Sequence, residues 1–181
     1  VGVLRRQRQM CICVSLIVGH ELEESLLDFC NNNYVDTVVT YHPPPYKRII
    51  DENDIETYLP DPITESFVDS SINVISIHTA QDVCEEGNAE TLAELFEISD
   101  VSIFANSVDN FGAGRKGTIN KISPADFKKD VENKLNTKII RTNECFNEIK
   151  EIENIAVLPG SGTQFIDEII DSVDVFITGD I

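Results

Sequence analysis

Asp36-Thr37-Val38-Val39-Thr40-Tyr41, followed at once by His42-Pro43-Pro44-Pro45-Tyr46, is the stretch on which the fold turns. Its first half is a short β-branched run, the composition of a strand packed among neighbours. Its second half holds consecutive prolines, which lack the backbone N–H and fit neither a ladder nor a helix interior. A strand that ends in a rigid loop, with a histidine at the junction, is the expectation. Upstream, Met10 to Val18 reads as a buried strand, and Leu22, Leu26, Leu27 and Cys30 recur at helical spacing over Glu21 to Asn31. Downstream, a helix over Ile63 to Ser70 precedes a strand over Asn73 to Ile77 that delivers His78, and Asn88 to Ile98 is an amphipathic helix.

The rest of the chain continues the alternation. Val101 to Phe104 reads as a strand, with a glycine-rich turn at Gly112 and Gly114. Ser123-Pro124-Ala125-Asp126 is a helix start, serine capping and proline in the first turn, and the helix runs towards Leu135. Lys138 to Arg141 and Asn154 to Leu158 read as strands. Pro159-Gly160-Ser161-Gly162, a helix over Thr163 to Ile170 and a strand over Val173 to Thr178 complete the series. Val- and Ile-rich runs alternating with helical patterns predict an α/β layered fold. A length of 181 residues is that of one ordinary domain, so a single domain over 1–181 is expected.

Thirty-two acidic residues against 14 basic ones give a net charge of −18, which repels phosphate backbones and anionic membranes. Direct nucleic-acid binding is disfavoured, and the short cluster Arg5, Arg6 and Arg8 reads as a solvated loop. Five scattered cysteines without paired spacing fit reduced thiols in a cytosolic or nuclear compartment. The basic residues before the apolar run imitate a secretory signal, but no cleavage site follows, and the run is short for a membrane span. A chain opening on Val1 is expected to have lost its native amino terminus.

In open α/β sheets ligands collect beyond the carboxyl ends of strands. His42 ends one strand, His78 and Asp82 follow another, and Asp180 ends the last. Imidazole and carboxylate together suit zinc, iron, manganese or nickel without a thiolate. A second reading stays open, in which His42 is a loop residue stiffened by prolines and Asp82 caps backbone amides. Pro159-Gly160-Ser161-Gly162 lies between a strand and a helix, where amides can receive an anion, yet it lacks the lysine of a Walker loop and the spacing of a nucleophile elbow. A structural turn is its plainer reading.

Three blocks, taken in order, resemble the NIF-type (YbgI-like) family, the GTP cyclohydrolase 1 type 2 homologues. They are Val38 to Ile49 with its Tyr-His-Pro, Ile77-His78-Thr79-Ala80-Gln81-Asp82 with the helix after it, and Ile155 to Ile181 with its glycine turn and Ile-Thr-Gly-Asp strand end. Gly114-Arg115-Lys116-Gly117 and Ser123 to Leu135 fit the connecting segment, so the resemblance covers nearly the whole chain. Tyr41 stands where many bacterial relatives carry the first histidine of a pair, a variant similar to the eukaryotic branch.

The resemblance implies a layered NIF-like fold with a mixed, largely parallel sheet flanked by helices. It implies two divalent metal ions per subunit in the intact protein, held by His42, Asp82 and His78 with a carboxylate bridging from elsewhere. The family's last ligands, a histidine and a glutamate, would lie beyond Ile181. The chain is therefore expected to be incomplete at both ends, to bind metal poorly and to be inactive alone. For the whole protein the resemblance implies a ring-shaped homo-oligomer and metal-dependent hydrolysis of a nucleotide-like or other small substrate. The alternative is a non-catalytic partner of transcription regulators, working through protein contacts rather than DNA.

Overall fold

The computed structural model describes residues 3–7, 13–108, 111–138 and 141–180. The chain divides into two compact units, Val1–His78 and Thr79–Ile181. The first runs β1 (Val3–Gln7), β2 (Cys13–Gly19), α1 (Glu24–Asn33), β3 (Thr37–Thr40), β4 (Tyr46–Ile50), β5 (Glu56–Pro60), α2 (Pro62–Asp69) and β6 (Asn73–Ser76), and α3 (His78–Val83) begins at its last residue.

Its sheet has the order β1-β2-β3-β6. β2, β3 and β6 run parallel, with Gly19 beside Thr40 and Thr40 beside Ser76, while β1 is an antiparallel edge. The side-chain period of two sends Ile17 and Val38 inward, where Leu22, Leu26, Cys30, Val35, Phe67 and Ile72 complete the core. The helix expected from Glu21 begins at Glu24, because Glu23 is still extended. It stops at Tyr34, whose left-handed backbone sends its N–H to the Cys30 carbonyl. α2 starts as expected from its proline, and the Asp61 carboxylate accepts from Ile63 N–H at 3.1 Å. Residues 10–12 of the expected first strand lie outside the described residues.

The β4–β5 ribbon has no counterpart in the sequence reading. It pairs antiparallel from Tyr46 opposite Pro60 to Ile50 opposite Glu56. Every residue of both strands is exposed, so no buried face imprints an alternating pattern on it. Its turn is held by Asp51, whose Oδ1 accepts from the N–H groups of Asn53 and Ile55 at 2.8 and 2.9 Å.

The second unit holds α4 (Asn88–Leu95), β7 (Ser99–Val108), β8 (Phe111–Ile122), α5 (Pro124–Lys134), β9 (Ile152–Ser161) and β10 (Val175–Asp180). Its sheet has the order β10-β9-β8-β7, parallel between β9 and β10 and antiparallel elsewhere. The chain is thus mixed α/β, as expected, with parallel pairing dominant in the first sheet and antiparallel in the second. Along β9, Ile155 and Val157 join Phe96, Phe127 and Val131 on one face, while Ala156 and Leu158 join Phe104 and Ile169 on the other.

Gly112 and Gly114 sit inside β8 and form no turn. A Cβ on Gly114 would stand 2.2 Å from the Phe104 ring, and one on Gly112 would stand 2.5 Å from Ile103 Cγ2. Close packing against β7, rather than a bend, is what requires glycine there. α5 starts as read, the Ser123 hydroxyl accepting from Asp126 N–H at 3.2 Å. Pro159, Gly160 and Ser161 extend β9, with Gly160 at φ +73°, and the expected helix beyond them is a short 3-10 helix, Thr163–Glu168. Of the strand expected over Lys138 to Arg141, residues 139 and 140 lie outside the described residues. No described helix is long and apolar enough to cross a membrane.

Candidate metal centre

The carboxyl ends of β2, β3 and β6 lie side by side, and the pairing continues past the strands. Tyr41 N–H donates to the Gly19 carbonyl at 3.3 Å and His42 N–H to the His20 carbonyl at 2.9 Å. Ile77 N–H reaches the Thr40 carbonyl and His78 N–H the Tyr41 carbonyl, each at 3.0 Å. Buried Thr40 fixes the bend after β3 by donating its hydroxyl to the His42 carbonyl at 2.7 Å. The prolines that follow then lead the chain away into β4.

All 3 histidines of the chain therefore converge. The His20 and His42 rings are 4.5 Å apart between centroids, and His42 and His78 are 5.8 Å apart. Tyr41 lies among them, at 5.7, 5.3 and 5.1 Å from His20, His42 and His78. Glu21 brings its Oε2 to 3.6 Å from His42 Nδ1. One ligand atom each of His20, Glu21 and His42 falls within 4.8 Å of the others.

Ligand atoms around a transition-metal ion at about 2.1 Å lie no more than roughly 4.2 Å apart. A small turn of these half-exposed to exposed side chains closes the set. Two imidazoles and a carboxylate are donors that fit zinc and its late first-row neighbours.

His42 and His78 are thus neighbours, as the strand-end rule predicts. Asp82 is buried and belongs to the second unit, where Asn88 Nδ2 donates to its Oδ1 at 2.8 Å. Asp180 closes β10 beside Ser161. Sequence reasoning missed His20 and Glu21. Reading the first strand as ending at Val18 left them as mere followers of an apolar run, although the rule that singled out His42 applies equally to the residues after β2.

The family model of Duf34/NIF3 (NGG1p interacting factor 3) matches residues 5–181. Among solved structures, the Staphylococcus aureus hypothetical protein SA1388 is similar with a TM-score of 0.67 at 20% identity, over 92% of this chain and 67% of that one. The protein ybgI, of unknown function, gives 0.68 at 22% identity over 92% and 64%. Reduced HcgD from Methanocaldococcus jannaschii gives 0.62 at 20% identity over 99% and 69%. At these identities the likeness is one of fold, and the chain spans about two thirds of the length of each.

Proposed function

The chain belongs to the Duf34/NIF3 (NGG1p interacting factor 3) family, and on that premise we propose that it holds a divalent transition-metal ion between His20, Glu21 and His42. The observation that carries the reading is the convergence of their ligand atoms within 4.8 Å at the ends of adjacent parallel strands. This centre serves metal-dependent hydrolysis of a small, nucleotide-like substrate. A bound ion would supply Lewis acidity towards a phosphoryl or carbonyl oxygen. The chain's own residues bind and orient. The imidazoles of His20 and His42 grip from neighbouring strands, the Glu21 carboxylate balances charge, and the His78 and Tyr41 rings wall the centre.

Titration calorimetry of the metal-free chain with zinc tests the assignment. Binding should be near one ion per chain, and His20→Ala or His42→Ala should weaken it by at least the roughly 10- to 100-fold seen for lost supporting groups. Equal affinity in both variants and the parent would sink it.

A further inference from the structure

One face of the second unit's sheet changes character along its strands. At one end Phe104, Ala156 and Leu158 pack with Ile169 into core. Lys116 of β8 stands opposite both Ser102 and Ala156, and Thr118 stands opposite Asn154. The side-chain period of two therefore puts Ser102, Lys116, Thr118 and Asn154 on that same face, where the apolar end stops. The turn before β10 brings in Ser172 and Val173, and together these residues line a cavity of about 150 Å³.

The cavity holds a cation that meets no anion. Lys121, farther along β8, pairs with Glu151 and Glu153 at 3.1 and 3.5 Å. Lys116 is half-buried, makes no ion pair among the described residues, and donates to the neutral Ser172 hydroxyl at 3.1 Å. That hydroxyl spends its proton on the Ile169 carbonyl at 3.0 Å, so it acts on Lys116 purely as an acceptor and steadies the ammonium group. An ammonium group has three donors, and two remain for a ligand. Beside it, the Thr118 hydroxyl has no hydrogen-bond partner among the described residues. Asn154 Nδ2 makes only a long contact, 3.4 Å, with Asp174, whose carboxylate is already held by the Glu153 and Asn154 amides. A charge and two neutral donors on adjacent strands thus point at one small space.

We infer that this cavity is an oxyanion site that takes a phosphoryl group. A lysine acts on phosphate as a point charge, and single donors around it suit a tetrahedral group, whereas a planar carboxylate is best gripped by the fork of an arginine. The volume falls well short of the roughly 300 Å³ at which sites for whole drug-sized ligands begin. The occupant is therefore inorganic phosphate, or the phosphate end of an ester whose remainder lies outside.

Titrating the metal-free chain with inorganic phosphate at constant ionic strength, and following backbone amide shifts by NMR, tests the site. Saturable shifts should centre on Ser102, Lys116, Thr118, Asn154 and Ser172. Lys116→Ala should weaken binding at least roughly tenfold. Thr118→Val, which keeps the β-branched shape and removes only the hydroxyl, should weaken it several-fold, and Lys121→Ala should leave it unchanged. Methyl phosphate separates the sources. Affinity equal to that of inorganic phosphate marks a site for the end of an ester, a much weaker one marks a site for the free ion, and the phosphoryl chemistry stands in both. Shifts that rise linearly and spread over exposed lysines mean an adventitious ion only and overturn the site, as does a Lys116→Ala chain that binds like the parent. Acetate binding as tightly as phosphate overturns the phosphoryl assignment. Every lining residue belongs to the second unit, so none of these readouts depends on metal.

Discussion

Asp174 shows how one exposed residue can tie two strands together. Its Oδ2 accepts from the N–H groups of Glu153 and Asn154, at 3.0 and 2.8 Å, from the residue before β10 to the start of β9. Burial alone would push the carboxyl up, but these hydrogen bonds, with the Asn154 amide and the charge of Lys121, outweigh it and hold it below the ordinary value. A carboxyl lowered in the folded state stabilises fully above its unfolded value of about 3.9, and the contribution fades as pH falls through the folded value. Asp174→Asn should therefore be less stable than the parent at neutral pH, and the gap should shrink below about pH 4. Urea midpoints across that range check it, and a constant gap would contradict it. At the same scale, His42 and His78 were legible because each follows an unmistakable Val- or Ile-rich run. His20 was not, since it follows a glycine that the structure places inside the strand.

Elements were legible where the decisive chemistry is short-ranged. Ser123-Pro124 announces α5 because a capping hydroxyl and a fixed φ act within one turn. Gly112 and Gly114 misled because a glycine needed for a turn and one needed for close approach look identical in sequence, and only the Phe104 ring across the sheet distinguishes them. Gly114→Ala should cost about 2 kcal/mol, the scale of overpacking a filled site, read from the shift in denaturant midpoint. Trimming the obstacle with Phe104→Leu should recover part of that loss in the double variant. A neutral Gly114→Ala would mean that the ring moves aside freely. The ribbon escaped detection for the opposite reason. Exposed on both faces, it offers no hydrophobic period to read.

For the whole molecule, composition spoke about charge and class and left the division into two units unannounced, because no linker-like stretch marks Thr79. The division makes the metal reading testable by region. A ligand stabilises what binds it, by an amount set by its concentration over its dissociation constant. Zinc at saturating concentration should slow amide hydrogen exchange across the β2, β3 and β6 segments far more than in β8 and β9. Protection that is uniform, or confined to the second unit, would argue against the assignment to His20, Glu21 and His42.

The strand ends that meet at the centre also carry a consequence for how the chain assembles. His20, His42 and His78 arrive on separate strands, with a helix between the first two and a ribbon and helix between the last two. Residues so far apart in sequence meet only after long loops have closed, among the slower events in folding. No fragment that stops short of β3 can present both His20 and His42, so on the proposed assignment an emerging chain would gain its grip on an ion late, when the parallel strands lock. Capture of the ion would then mark the completion of the sheet.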